Sequence, residues 1–134
     1  MATISIASKT MKRATGLKLP EFNLAATATL TSNQMYGGII NTYGQAADMV
    51  LTLPAPSEGM HFKVIVGTTV AKYVRITAAT NDKIYLNGAA GSDNGYVGIA
   101  SVTAGEAIEF FAFKTGAATF DWFAKSLGGT WVAG

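Results

Sequence analysis

Residues able to do acid–base, metal or nucleophilic chemistry are few in this chain, and their spacing works against each chemistry in turn. The single histidine, His61, sits beside Lys63 on the polar side of an alternating run. A general base needs a positioned partner, and no Ser/His/Asp pattern accompanies this one. Its simplest role is an exposed or hydrogen-bonded strand residue. Glu106 and Glu109 are three apart, a spacing that sends them to opposite faces of a strand. They are therefore poorly placed as the paired carboxylates of a glycan hydrolase. Asp82, Asp93 and Asn94 fall in glycine-rich loops, but calcium takes about six to eight oxygen ligands, and Ser92-Asp93-Asn94-Gly95 is first of all a turn. Gly88, Gly91 and Gly95 precede no helix and no Gly-Lys-Ser/Thr, so a phosphate loop is not indicated. Asp121 is expected to pair at the surface with Lys125 or Lys114. With no cysteine, disulfides, thiolate metal sites and cysteine nucleophiles are excluded. The expectation is no catalytic residue, no metal, no cofactor and no enzyme activity.

The aromatic residues offer contact surface instead. Tyr36, Tyr43, Tyr85 and Tyr96 are candidates for touching carbohydrate or protein, against the plainer reading of strand residues packed at sheet edges.

The elements that must carry these side chains are short and alternating. At 134 residues the chain is most simply one domain, long enough to bury about two-thirds of its unfolded surface. Hydrophobic residues make up 49% of it and charged residues only 13%, where about 25% is usual for charged ones. So little charge leaves apolar surface that is best covered by other copies of the chain. No run is apolar for long enough to span a membrane, and the first residues carry no continuous apolar stretch of the kind a secretory signal needs. The net charge of +2 is uneven: Lys9, Lys12, Arg13 and Lys18 all precede Glu21, the first acidic residue. Residues 1–25 read as an extended basic arm. Without interleaved aromatics, four cations make a poor phosphate track, so nucleic acid is not an expected partner.

From residue 26 to 134 the signal is period two, the signature of strands with one face in a core. Met49, Leu51 and Leu53 share a face; so do Met60, Phe62, Val64 and Val66, with His61, Lys63 and Ile65 opposite. Val74 and Ile76 oppose Tyr73, Arg75 and Thr77. The sole helix candidate, Ser32 to Tyr36, is at most one turn before Gly37-Gly38 stops it. Ala107–Lys114 is apolar on both sides, and Phe120–Ala124 nearly so, which predicts burial by a second layer or a second subunit. Turn residues between the runs predict an all-β fold, a jelly-roll-like antiparallel sandwich, with no repeat of fixed length.

Several residues in this order match a pattern. They are Leu51-Thr52-Leu53-Pro54, Gly59, Val64 and Val66; then Ile76-Thr77, Asp82, Ile84 and Gly88; then Ala104-Gly105-Glu106, Ile108, Phe110, Asp121-Trp122 and Thr130-Trp131. Over roughly Val50 to Val132 the chain resembles the small trimeric β-domains of tailed-phage virions, found in capsid decoration proteins, head fibres and tail fibres. The resemblance implies a homotrimer with a structural or adhesive role. Phe110, Phe111, Phe113, Trp122 and Phe123 would then form the oligomer interface. The chain departs from it in its very apolar Phe110-Phe111-Ala112-Phe113 run and in lacking a coiled-coil or collagen-like stalk, which favours a compact knob over a long fibre.

The expected function is therefore a virion structural protein, a capsid decoration (cement) or head-fibre protein on the particle surface. It would contact itself and a major capsid protein, with Lys9, Lys12, Arg13 and Lys18 in the attachment arm. The alternative is a tail-fibre tip binding host glycan through Tyr85, Asn87, Asp93 and Tyr96.

Overall fold

The structure is a computed structural model that describes residues 19–134. Among these residues the alternating runs become twelve strands in two sheets that share one core. The first six strands pass back and forth between the sheets. β1 (Glu21–Asn23), β3 (Tyr36–Asn41) and β5 (His61–Ile65) lie side by side and parallel in one sheet. β2 (Ala28–Thr29), β4 (Met49–Thr52) and β6 (Val74–Thr77) do the same in the other. This half winds like a short solenoid, each turn adding one strand to each layer.

The second half extends both layers. β9 (Tyr96–Ile99) pairs antiparallel with β6, and β12 (Val132–Ala133) with β9. β10 (Ala107–Lys114) pairs antiparallel with β5 and forms a long hairpin with β11 (Phe120–Gly128). β7 (Ile84–Leu86) adds parallel to β11, and β8 (Ala89–Ala90) closes that edge through the Asn87-Gly88 turn, where both residues have positive φ, 50° and 92°. Such a two-residue turn matches the twist of a hairpin. The result is a seven-stranded sheet in the order β1-β3-β5-β10-β11-β7-β8 over a five-stranded sheet in the order β12-β9-β6-β4-β2.

The all-β sandwich is as the sequence predicts. Its sheets are mixed, however, and the antiparallel jelly-roll-like arrangement gives way in the first half to parallel coils. Alternation reports which face a side chain takes; it is silent on the direction of the neighbouring strand. The solenoid escapes a search for repeats because its coils differ in length: Phe22 aligns with Ile40, and Ile40 with Val64. Part of the segment read as an arm belongs to the sandwich, since β1 at Glu21–Asn23 is a strand of the seven-stranded sheet. The basic residues Lys9, Lys12, Arg13 and Lys18 lie outside the described residues.

The core contains the predicted faces almost residue for residue. Met49, Leu51, Leu53, Met60, Phe62, Val64, Val66, Val74 and Ile76 are all buried, each large side chain favouring the fold by roughly 1.5–3 kcal/mol. At its centre Phe62 stacks on Phe110 with ring centroids 4.9 Å apart, and Trp122 meets both edge-on, at 5.7 and 6.3 Å. Trp131 fastens the end of the fold: its Nε1 donates to the Ala107 and Gly128 carbonyls at 3.0 and 2.9 Å. The four sheet-edge strands β1, β8, β12 and β2 span three, two, two and two residues. Edges this short blunt the exposed ladder that strand addition would use. Among the described residues the sheet faces offer a broader contact surface than the edges do.

Candidate functional site

The outer face of the seven-stranded sheet carries a row of aromatic side chains. Register places Tyr36 opposite His61, His61 opposite Phe111, Phe111 opposite Phe123, and Phe123 opposite Tyr85. The row thus crosses five adjacent strands, β3, β5, β10, β11 and β7, a width of about 20 Å at the usual strand spacing. Tyr36 reaches this face because of a bulge. Its parity with the buried Ile40 would turn it inward, but the pairing skips Gly37, which has φ +78°. The inserted glycine re-aims the strand and turns Tyr36 out.

Contacts along the row are ordered. His61 and Phe111 stack with centroids 6.4 Å apart and planes 11° from parallel. Phe113, one pleat further along β10, meets Tyr85 edge-on at 5.0 Å. Aromatic pairs of this kind contribute about 0.5–1.5 kcal/mol beyond burial. Even so the described residues leave the row partly open, Tyr36 being 52% exposed and Phe111 41%, while Leu127, beyond Lys125 on β11, is 48% exposed. A row of charge flanks it, Lys63 on β5, Glu109 on β10 and Lys125 on β11 standing opposite one another. Lys63 and Glu109 approach to 3.8 Å, a surface pair of small energy. A shallow hollow opens at the Tyr36 end, bounded by Leu19, Gly37, His61, Lys63, Glu109 and Phe111.

The residues expected at an oligomer interface therefore divide. Phe111 is exposed, Phe113 and Phe123 are half-buried, and all three belong to the outer face or its margin. Phe110 and Trp122 do not: both are fully buried in the sandwich core. The apolar character of Ala107–Lys114 on both sides has two causes, one core face and one aromatic outer face.

The four residues expected to touch glycan are not brought together. Tyr85 is on the outer face of the seven-stranded sheet beside Phe113. Tyr96 is on the outer face of the other sheet, with the buried Val97 between it and Gly98 in alternation. Asn87 holds the β7–β8 turn, its Oδ1 accepting the Ser126 N–H at 3.3 Å. Asp93 lies on an exposed loop 3.9 Å from the Lys83 ammonium.

The acid–base candidates are occupied structurally. His61 is exposed and stacked on Phe111. Glu106 accepts the Thr103 N–H at 2.6 Å, shaping the turn into β10. Asp121 pairs with neither Lys125 nor Lys114; its Oδ1 accepts the Lys83 N–H at 2.9 Å, joining β11 to the start of β7. Burial first, and then the charge of Asp121, push the Asp82 carboxyl above its ordinary value. Among the described residues no three His, Asp or Glu side chains are grouped to hold a metal ion.

One cluster escaped the sequence reading. On the outer face of the five-stranded sheet, the Arg75 guanidinium lies 4.3 Å from the Tyr73 ring centroid and 4.5 Å from that of Tyr96. The spacing Tyr73-Val74-Arg75 already put two of these on one face. The third comes from β9, and only strand pairing reveals it. Comparison of the chain with protein families, with curated proteins and with solved structures gave no match.

Proposed function

We propose that this chain is a structural assembly protein of a virion, a capsid decoration or head-fibre protein that oligomerises and attaches to a capsid lattice. One observation carries the assembly part: an aromatic row five strands wide stands on an outer face with Phe111 exposed at its centre. Monomeric proteins seldom leave so continuous an apolar band open to water. Aromatic residues at the centre of a patch with charges at its margin are how protein interfaces are built.

In this reading the row packs against other copies of the chain in a homotrimer, the symmetry the resemblance implies. Lys63, Glu109 and Lys125 form the polar rim that fixes orientation. Leu19 lies at the edge of the same face, beside Gly37 and His61, and the basic segment precedes it in the chain. Its cations Lys9, Lys12, Arg13 and Lys18 would reach an acidic surface on the lattice and add weak links that act together. The virion assignment rests on the resemblance of the strand and turn residues; low charge and the absence of cysteine fit it.

The test has two arms. Light scattering on the purified chain should give a multiple of the 13.9 kDa protomer. Mass spectrometry of gradient-purified particles from the source should find the chain co-migrating with shells. A monomer that is missing from particles would end the proposal.

A further inference from the structure

The Arg75 cluster has the attributes of a ligand site and lies on the opposite side of the sandwich from the aromatic row. β6 and β9 pair so that Arg75 faces Gly98, while Thr77 faces Tyr96. Tyr73 is thus on one side of Arg75 along the sheet and Tyr96 on the other, and the guanidinium lies over both rings. Gly98 makes this possible. A Cβ there would come within 2.7 Å of the Val74 carbonyl oxygen and 2.9 Å of Arg75 Cγ. Glycine lets the arginine stem lie flat across the strand and leaves a hollow beside it, closed by Ala100 and the exposed Val132.

Stacking fixes a guanidinium without using its N–H donors. Among the described residues, no ion pair or hydrogen bond takes them up. Asp48, the acid that meets the neighbouring Tyr73, uses its Oδ1 to accept the Tyr73 N–H at 3.1 Å. A fixed cation with open donors, beside an apolar floor and two phenols, is suited to a carboxylate carried on a compact ring. The hollow is small and shallow, lined by seven residues, and its neighbouring edge strand, β12, has only two residues. That geometry suits a single sugar ring and offers no ladder for a peptide.

We propose that Arg75, Tyr73 and Tyr96 over Gly98 form a binding site for a carboxylate-bearing sugar, a uronic or sialic acid residue of a surface glycan. The Arg75 fork donates to the carboxylate, and the ring lies in the hollow beside the arginine stem, toward Ala100 and Val132. The site does not depend on assembly through the seven-stranded sheet. An assembled particle that used that sheet for contacts would leave this one facing out.

The experiment is a titration of the isotopically labelled full chain, followed by amide shifts, with D-glucuronic acid, N-acetylneuraminic acid and their methyl esters. Acid binding at roughly millimolar affinity, centred on Gly98 and Ala100, is expected. The esters should bind about tenfold more weakly or not at all, because they lose the charge-assisted pair. Arg75→Gln should abolish acid binding with the rest of the spectrum unchanged, and Arg75→Lys should restore part of it. Should a variant fail to fold, the acid–ester comparison on the unaltered chain still decides. No shifts with either acid, equal binding of acid and ester, or equal saturation by acetate alone overturns the proposal. Tighter binding of an acidic peptide at the same amides overturns the sugar class. These results are independent of the oligomer mass, so failure here and failure of the assembly reading are told apart.

Discussion

Phe110 and Phe111 are consecutive in β10, yet one is fully buried against Phe62 while the other is 41% exposed on the opposite face of the same sheet. The pleat alone separates them. It divides one apolar segment into a stabilising half and a contacting half, and the two halves should respond differently to mutation.

Phe111→Asp puts a charge in the middle of the aromatic row without touching the core. The fold should survive, with a thermal midpoint close to that of the parent, while light scattering shows loss of self-association. An oligomer of unchanged mass would remove the row from the interface.

Phe110→Ala should do the reverse. It deletes a ring stacked on Phe62 and edge-on to Trp122, and such core truncations cost about 3–5 kcal/mol. Urea unfolding at fixed protein concentration measures it.

Trp131→Phe removes a donor shared by the Ala107 and Gly128 carbonyls. Losing these bonds in a part-buried position should cost about 1–3 kcal/mol. Hydrogen exchange should speed up at Val132–Ala133 and on β9, the strand they pair with.

Asp82→Asn should stabilise the protein at neutral pH. Burial and Asp121 raise the folded-state pKa of Asp82 above 3.8. The folded state therefore binds its proton more readily than the unfolded one, and Asp82 lowers stability progressively as pH rises from its unfolded pKa, the whole loss being present above its folded pKa. The difference between variant and parent should shrink as pH falls through that value and vanish below about 3.9, the unfolded value. Denaturant melts at pH 7 and near pH 3.5 test the sign. An advantage that grows toward acid would contradict it.

Much of this architecture was legible in the sequence. Period-two alternation set the buried faces at Met49–Leu53, Met60–Val66 and Val74–Ile76, and the structure buries the same residues. Ala107–Lys114 has the same bounds as expected, and the single turn at Ser32–Met35 also follows the residues. These features are local: a side chain's face depends on parity, and parity is written in the chain.

What the sequence left open is which strands are neighbours and in which direction they run. The parallel coils of β1 to β6 depend on that pairing, as does the separation of Tyr85 from Tyr96. So does the aromatic row itself, which joins residues as distant as Tyr36, Phe123 and Tyr85 and needs the bulge at Gly37 to be complete. Arg75 acquires its second ring only because β9 pairs with β6 in one register. A residue's parity is set by its own strand, but its cross-strand partners are chosen by the global competition to fill one core. For this chain, composition and alternation determined a β-sandwich with apolar surface to spare. Tertiary pairing decided where that surface lies.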